Sequence, residues 1–191
     1  MKQYDYIILG AGASGLLLAY RMSQDVYFDD KSILIIDKIK DKGNDRTWCY
    51  WEEEEEGEWD NLLTKSWPKI YFGSDTFSKT MAISPFNYKM IRSEKFYNGL
   101  WDSIGLKPNI TFLEDTVASF TEIDQGVQVI TKIATYCGAK LFNSLPDPKS
   151  YESQNQYPIL QQHFVGWFIK VGEAIFDDST AAIDSGTEQK I

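Results

Sequence analysis

Histidine is almost missing from these 191 residues: His163 stands alone, and the only cysteines, Cys49 and Cys137, lie far apart. No pair of them has metal-ligand spacing, which excludes a zinc site built from this chain alone, and such sparing use of cysteine suits a reducing compartment. Basic charge is also short. Lys and Arg number 19 against 28 Asp and Glu, and the net charge of -9 repels a phosphate backbone, so nucleic acid is excluded as a nonspecific partner. No run reaches the ~18 apolar residues of a membrane-spanning helix. Residues 6–20 are uncharged and follow Lys2, but Asp5 interrupts that start, three glycines punctuate the run and no small-residue cleavage site follows. The expectation is a cytoplasmic chain whose membrane contact, if it has any, is peripheral.

What the sequence has in quantity is rings. Aromatics make up 15%, within an apolar share of 43% that is enough for a real core. A globular chain spends such rings on its core or on an apolar cavity. The length allows one sizeable domain, or one domain and part of a second.

The amino terminus reads as strand, turn, helix, strand. Residues 4–9 (YDYIIL) form a short buried strand, Gly10 to Gly15 a glycine-rich turn, and residues 16–23 a helix with Leu16, Leu17, Ala19 and Tyr20 on its apolar face. Residues 32–36 (SILII) form a second buried strand that ends at Asp37. About 35 residues of this order make one βαβ unit. Within it Gly10-Ala11-Gly12-Ala13-Ser14-Gly15 satisfies G-x-G-x-x-G. The first glycine permits the tight turn, the second lets backbone approach a pyrophosphate, and the third lets helix and strand pack closely. The helix terminus then offers unpaired N–H groups and a positive dipole end to phosphate. Asp37, 22 residues beyond Gly15, is placed to bind unphosphorylated ribose hydroxyls. The expected ligand is the ADP part of FAD or of NAD, which this pattern does not separate. Arg46, nine residues after Asp37, is either a pyrophosphate contact or an ordinary surface arginine.

Further on, residues 67–72 and 76–83 read as strands of a separate antiparallel sheet, and Ser93 caps a helix that runs to Ile104 and stops at Gly105. A strand at 110–113 precedes a three-stranded meander over 117–120, 126–131 and 132–136, then a return strand at 139–143. That crossover favours an FAD fold of the glutathione-reductase type. Residues 146–157 read as a linker and 158–171 as an aromatic strand. The acidic run Glu52 to Glu56 reads as a solvated face.

The run Asn44-Asp45-Arg46-Thr47-Trp48-Cys49-Tyr50-Trp51-Glu52 resembles the lycopene cyclase family. So do residues 88–97 (YKMIRSEKFY), Phe142-Asn143-Ser144 before Pro146, residues 161–169 (QQHFVGWFI) and Phe176-Asp177, all in family order. The resemblance implies a flavoprotein that folds the linear ends of lycopene into rings of the β type with no net redox change: a proton adds, a carbocation forms, the ring closes and a proton leaves. It implies reduced FAD as cofactor, NAD(P)H as reductant and peripheral contact with the membrane that holds the substrate. Trp48, Tyr50, Trp51, Phe164 and Trp167 are candidates to line an apolar substrate tunnel, or are simply core; His163 is a candidate acid or base, or a hydrogen-bonded core histidine. The family's acidic motif and second flavin contact fall in a carboxy-terminal half that has no counterpart in these residues, so an amino-terminal portion is expected and the catalytic acid is unassigned. Alternatives are another FAD- or NAD(P)H-dependent oxidoreductase, such as a monooxygenase, and an inactive truncated cofactor-binding fragment. The expected architecture is α/β: a Rossmann-like FAD-binding domain with a partial antiparallel β substrate domain. The FAD part takes residues 1–65 and 93–150, and the substrate part takes 66–92 and 151–191.

Overall fold

A computed structural model describes residues 2–53, 56–74, 76–145, 156–158 and 179–184. They belong to two compact units, Met1–Gly43 with Tyr97–Gln161 and Asn44–Phe96 with Gln162–Ile191.

In the first unit, β1 (Lys2–Leu9) leads through the glycine turn into α1 (Ala13–Gln24), and β2 (Ile33–Asp37) follows. β2 is buried at every position, as a parallel strand covered on both faces must be. Ile7, Ile8, Leu9, Leu34, Ile35 and Ile36 are fully or almost fully buried. Each such side chain contributes about 1.5–3 kcal/mol of transfer free energy. The buried face of α1 is Gly15, Leu16, Ala19, Met22 and Ser23. It is rotated from the expected face: Leu17 and Tyr20 are only half-buried, because Gly15 rather than a bulky side chain makes the closest approach to the sheet.

The second unit contributes β3 (Thr47–Glu53), β4 (Lys65–Trp67), β5 (Lys69–Ser74), β6 (Phe77–Ala82), β7 (Phe86–Arg92) and the start of α2 (Ser93–Ile104). The chain then supplies β8 (Ile110–Glu114), β9 (Val117–Ile123), β10 (Gly126–Thr131) and β11 (Thr135–Asn143) to the first unit, and β12 (Thr180–Asp184) to the second. The first unit's sheet has the order β8-β2-β1-β11-β10-β9. Its β8, β2, β1 and β11 are parallel neighbours, while β9, β10 and β11 pair antiparallel. The last meander strand and the return strand, expected as two, are therefore one strand with a partner on each side. Gly138 makes this possible: it pairs with both Tyr4 and Val127, and a Cβ there would press on Ile7 at 2.8 Å.

Residues 44–65, grouped by sequence with the FAD part, fold in the second unit because β3 pairs along the whole of β7. Two sheets lie there, β3-β7-β4 and β12-β5-β6. The segment 67–72 is split between them at Pro68, which has no N–H for a ladder and whose carbonyl accepts from Ile83 N at 3.1 Å. Nor is the unit wholly antiparallel, since β12 runs parallel to β5. The expected strand at 158–171 lies outside the described residues apart from Pro158.

One charge network stands out in this unit. Lys89 on β7 is 1% exposed and donates to Glu52 at 2.8 Å and Asp60 at 2.7 Å. Glu52 thus leaves the solvated run expected of it: β3 alternates faces, and position 52 turns inward. Burial works against the Lys89 cation, but its bonds to Asp60 and Glu52 outweigh that and raise its pKa. Burial works against the Asp60 carboxylate too, and the Lys89 bond with a backbone bond at Gly57 outweighs it and lowers the pKa. The network's stabilisation is therefore present at neutral pH. The lysine part is lost as pH rises above about 10.5 and through the raised folded value, and the Asp60 part as pH falls below about 3.8 and through the lowered one. Glu52→Gln with Asp60→Asn removes two charged partners of the buried ammonium. We expect a loss of about 2 kcal/mol in urea unfolding, below the roughly 3–5 of a fully buried pair because both carboxylates are partly exposed. Adding Lys89→Met should recover most of it.

Candidate functional site

The carboxyl ends of β1 and β2 meet at the glycine turn. Gly10 has φ +94, a left-handed conformation that suits glycine, and its N–H donates to Ile36 O at 2.8 Å. Gly15 packs so closely that a Cβ would collide with Gly10 O. Gly12 differs: at φ -81 and ψ -173 its backbone suits any residue, and a Cβ there would have no atom within 4 Å. The first intrahelical bond is Leu16 N to Gly12 O at 3.0 Å, so the amides of Gly12, Ala13, Ser14 and Gly15 have no acceptor within the helix. Open backbone at a helix amino terminus is what a pyrophosphate needs, and the residues fit such a group.

Asp37 is buried at the end of β2 and does more than the sequence suggested. Its Oδ2 accepts from Ala11 N at 2.6 Å and faces Lys42 Nζ at 3.0 Å; its Oδ1 accepts from Ile39 N at 3.3 Å. Ala11, expected among the cofactor contacts, thus spends its amide on Asp37. Lys42 also donates to Ile39 O at 3.0 Å. Neither tie was visible in sequence, because a charged loop residue five places after an acid carries no pattern of its own.

Ser144, at the far end of β11, reaches the same turn. Its N–H donates to Leu9 O at 2.9 Å and its hydroxyl to Leu9 O at 2.8 Å, with Gly10 O at 3.3 Å. Sequence reading placed it only within a family block. The parallel pairing of β1 with β11 is what carries it across 134 residues.

The remaining candidates belong to the second unit. Arg46 precedes β3; its N–H donates to Ser93 Oγ, its carbonyl accepts from Ser93 N, both at 3.0 Å, and its exposed guanidinium donates to Asp45 O at 3.1 Å. β3 separates the three aromatic candidates by its period of two. Trp48 and Tyr50 share one face, and Trp51 takes the other. Trp48 packs edge-on against Phe96 at 5.5 Å. The Tyr50 hydroxyl is buried with no hydrogen-bond partner among the described residues, and burial, then the Glu52 charge, raises its pKa. Trp51 is half exposed and begins a row of rings across three strands: Tyr88 lies 4.9 Å from it and Trp67 lies 6.0 Å from Tyr88. Phe164, Trp167 and His163 lie outside the described residues. Among the described residues, no three His, Cys, Asp or Glu side chains gather as metal ligands, and no helix is long and apolar enough to cross a membrane.

A parallel sheet entered through a glycine turn, with an acid closing its second strand, defines a Rossmann-like α/β fold. Solved structures share the fold. They include p-nitrophenol 4-monooxygenase PnpA from Pseudomonas putida DLL-E4, at TM-score 0.61 and 12% identity over 75% of this chain and 41% of that one. The amino acid oxidase NikD matches at 0.55 and 13%, over 75% and 51%, and the flavin-dependent brominase Bmp2 at 0.54 and 15%, over 80% and 40%. The chain spans about half or less of the length of each. No curated protein matches it. The family model described as lycopene cyclase protein matches residues 5–190, and the chain belongs to that family.

Proposed function

We propose that this chain is the cofactor-binding part of a lycopene cyclase that closes β-rings on lycopene, with FAD in its reduced form and NAD(P)H as the reductant. The observation that carries the reading is the open backbone at Gly12, set at the amino terminus of α1 beside a buried Asp37 in a chain of this family. The crossover through β8 to β11 is read as the glutathione-reductase type of FAD fold. Amides 12–15 hold the pyrophosphate, and Asp37 takes the ribose hydroxyls through Oδ1, the less engaged of its oxygens. When bound, reduced flavin supplies electron density that stabilises cationic character in the substrate. Rings serve the same chemistry, since an aromatic face attracts a carbocation and an apolar wall suits a polyene. The Trp51, Tyr88 and Trp67 row is one candidate for that wall, and Trp48 with Tyr50, on the opposite face of β3, is another; Phe164 and Trp167 remain candidates beside them. Tyr50 keeps its proton at neutral pH, but no residue is assigned the protonation step. A long apolar substrate is delivered from a membrane, so the protein works in the cytoplasm against a membrane surface.

A second reading, a flavin monooxygenase, draws on the shared fold with PnpA. Expression in lycopene-accumulating bacteria separates the two. The 191 residues joined to the carboxy-terminal half of a lycopene cyclase should yield cyclic carotene, while the 191 residues alone should leave lycopene unchanged. Cyclic product without net NAD(P)H consumption supports the cyclase. An oxygenated product, or none from the joined chain, overturns it. Cyclic product from the 191 residues alone would place a proton donor within them.

A further inference from the structure

We propose that Ser144 is a positioning residue for nucleotide phosphate: it sets the glycine turn from the opposite end of the sheet. The inference rests on the nucleotide-binding reading above but not on cyclisation. Three contacts converge on this residue. Its N–H and its hydroxyl both donate to Leu9 O, and the hydroxyl oxygen lies 3.3 Å from Gly10 O. The same oxygen occupies the space that a side chain at position 10 or 15 would need: an added Cβ would come within 2.5 Å of it at Gly10 and 3.2 Å at Gly15. The missing side chains of two turn glycines therefore make room for this hydroxyl as well as for close helix–strand packing.

The hydroxyl has one proton, and the shorter contact gives it to Leu9 O. Leu9 O then holds two donors and cannot rotate without losing both. Gly10 N is fixed on Ile36 O and Ala11 N on Asp37. The turn is thus clamped from β2 on one side and from the end of β11 on the other, and the amides of residues 12–15 leave it in one direction. A phosphate needs several of these donors at once, so a small rotation at Leu9–Gly10 weakens phosphate binding. Adenosine without phosphate does not use them.

Ser144→Ala keeps the backbone bond to Leu9 O and removes only the hydroxyl's contacts, so the cost to the fold is small. Calorimetric titration of the chain and of this variant with ADP and with adenosine reads the effect. We expect ADP to weaken about tenfold, adenosine to change less than about twofold, and the melting temperature to move less than about 2 °C. Equal weakening of both ligands, unchanged ADP binding, or a large fall in melting temperature overturns the proposal and leaves Ser144 a packing residue. A wild-type chain that binds neither ADP nor FAD overturns the nucleotide reading itself, and this inference with it.

Discussion

Gly12→Val is expected to cost the protein its flavin, by about a hundredfold or more in affinity, while leaving its unfolding transition in place. A hundredfold corresponds to about 2.7 kcal/mol. The two halves of this expectation come from one geometry. Gly12 has an extended backbone that valine also adopts, and its added Cβ would meet no protein atom within 4 Å. The fold therefore has no reason to object. The side chain would stand in front of amides that a pyrophosphate must approach closely, and any displacement of the phosphate loses several charge-assisted hydrogen bonds together. Gly15→Val is the contrasting case. Its Cβ would collide with the Gly10 carbonyl, so helix and strand must part and stability should fall along with flavin. Flavin absorbance per mole of purified protein, read beside a thermal melt, tests both. Gly12→Val protein with full flavin content would remove the pyrophosphate from this turn.

The contrast also shows what the sequence could and could not convey. G-x-G-x-x-G located the turn because Gly10 and Gly15 answer steric demands of the turn itself, and such demands leave local patterns. The short strands at 4–9 and 32–36 were legible for the same reason: unbroken apolar runs between turn residues. α2 was legible from its serine at the start and its glycine after the end. What escaped was pairing over distance. Nothing local in Thr135–Asn143 announces that one strand serves both β10 and β1, or that its end brings Ser144 to Leu9. Pro68 was read as part of a strand, yet it divides two sheets. Glu52 was read with its acidic neighbours, yet strand alternation turns it inward to Lys89, a partner 37 residues away. The same alternation scattered Trp48, Tyr50 and Trp51 over two faces and put Trp51 in a row with Tyr88 and Trp67, which no reading of adjacent residues would assemble.

Asp37 combines a local and a distant role, and two substitutions pull them apart. Asp37→Ala removes the acceptor of Ala11 N–H, the counter-charge of Lys42 and the proposed ribose contact at one stroke. The orphaned amide is buried beside the turn and costs about 1–3 kcal/mol of stability. The lost charge-assisted bond to a ribose hydroxyl is worth about 1.5–3 kcal/mol, a ten- to hundredfold weakening of FAD. Asp37→Asn retains a carbonyl oxygen for Ala11 N–H but not the charge. It should restore most of the stability while FAD stays weakened, by about tenfold, because a neutral acceptor bonds a hydroxyl less strongly than a carboxylate does. Urea unfolding measures the first effect and flavin-fluorescence titration the second. If the two readouts move together in both variants, Asp37 only shapes the turn. If alanine leaves FAD affinity unchanged while stability falls, the ribose is held elsewhere. Recovery of stability without recovery of affinity in the asparagine variant is the pattern that assigns both roles to this one carboxylate.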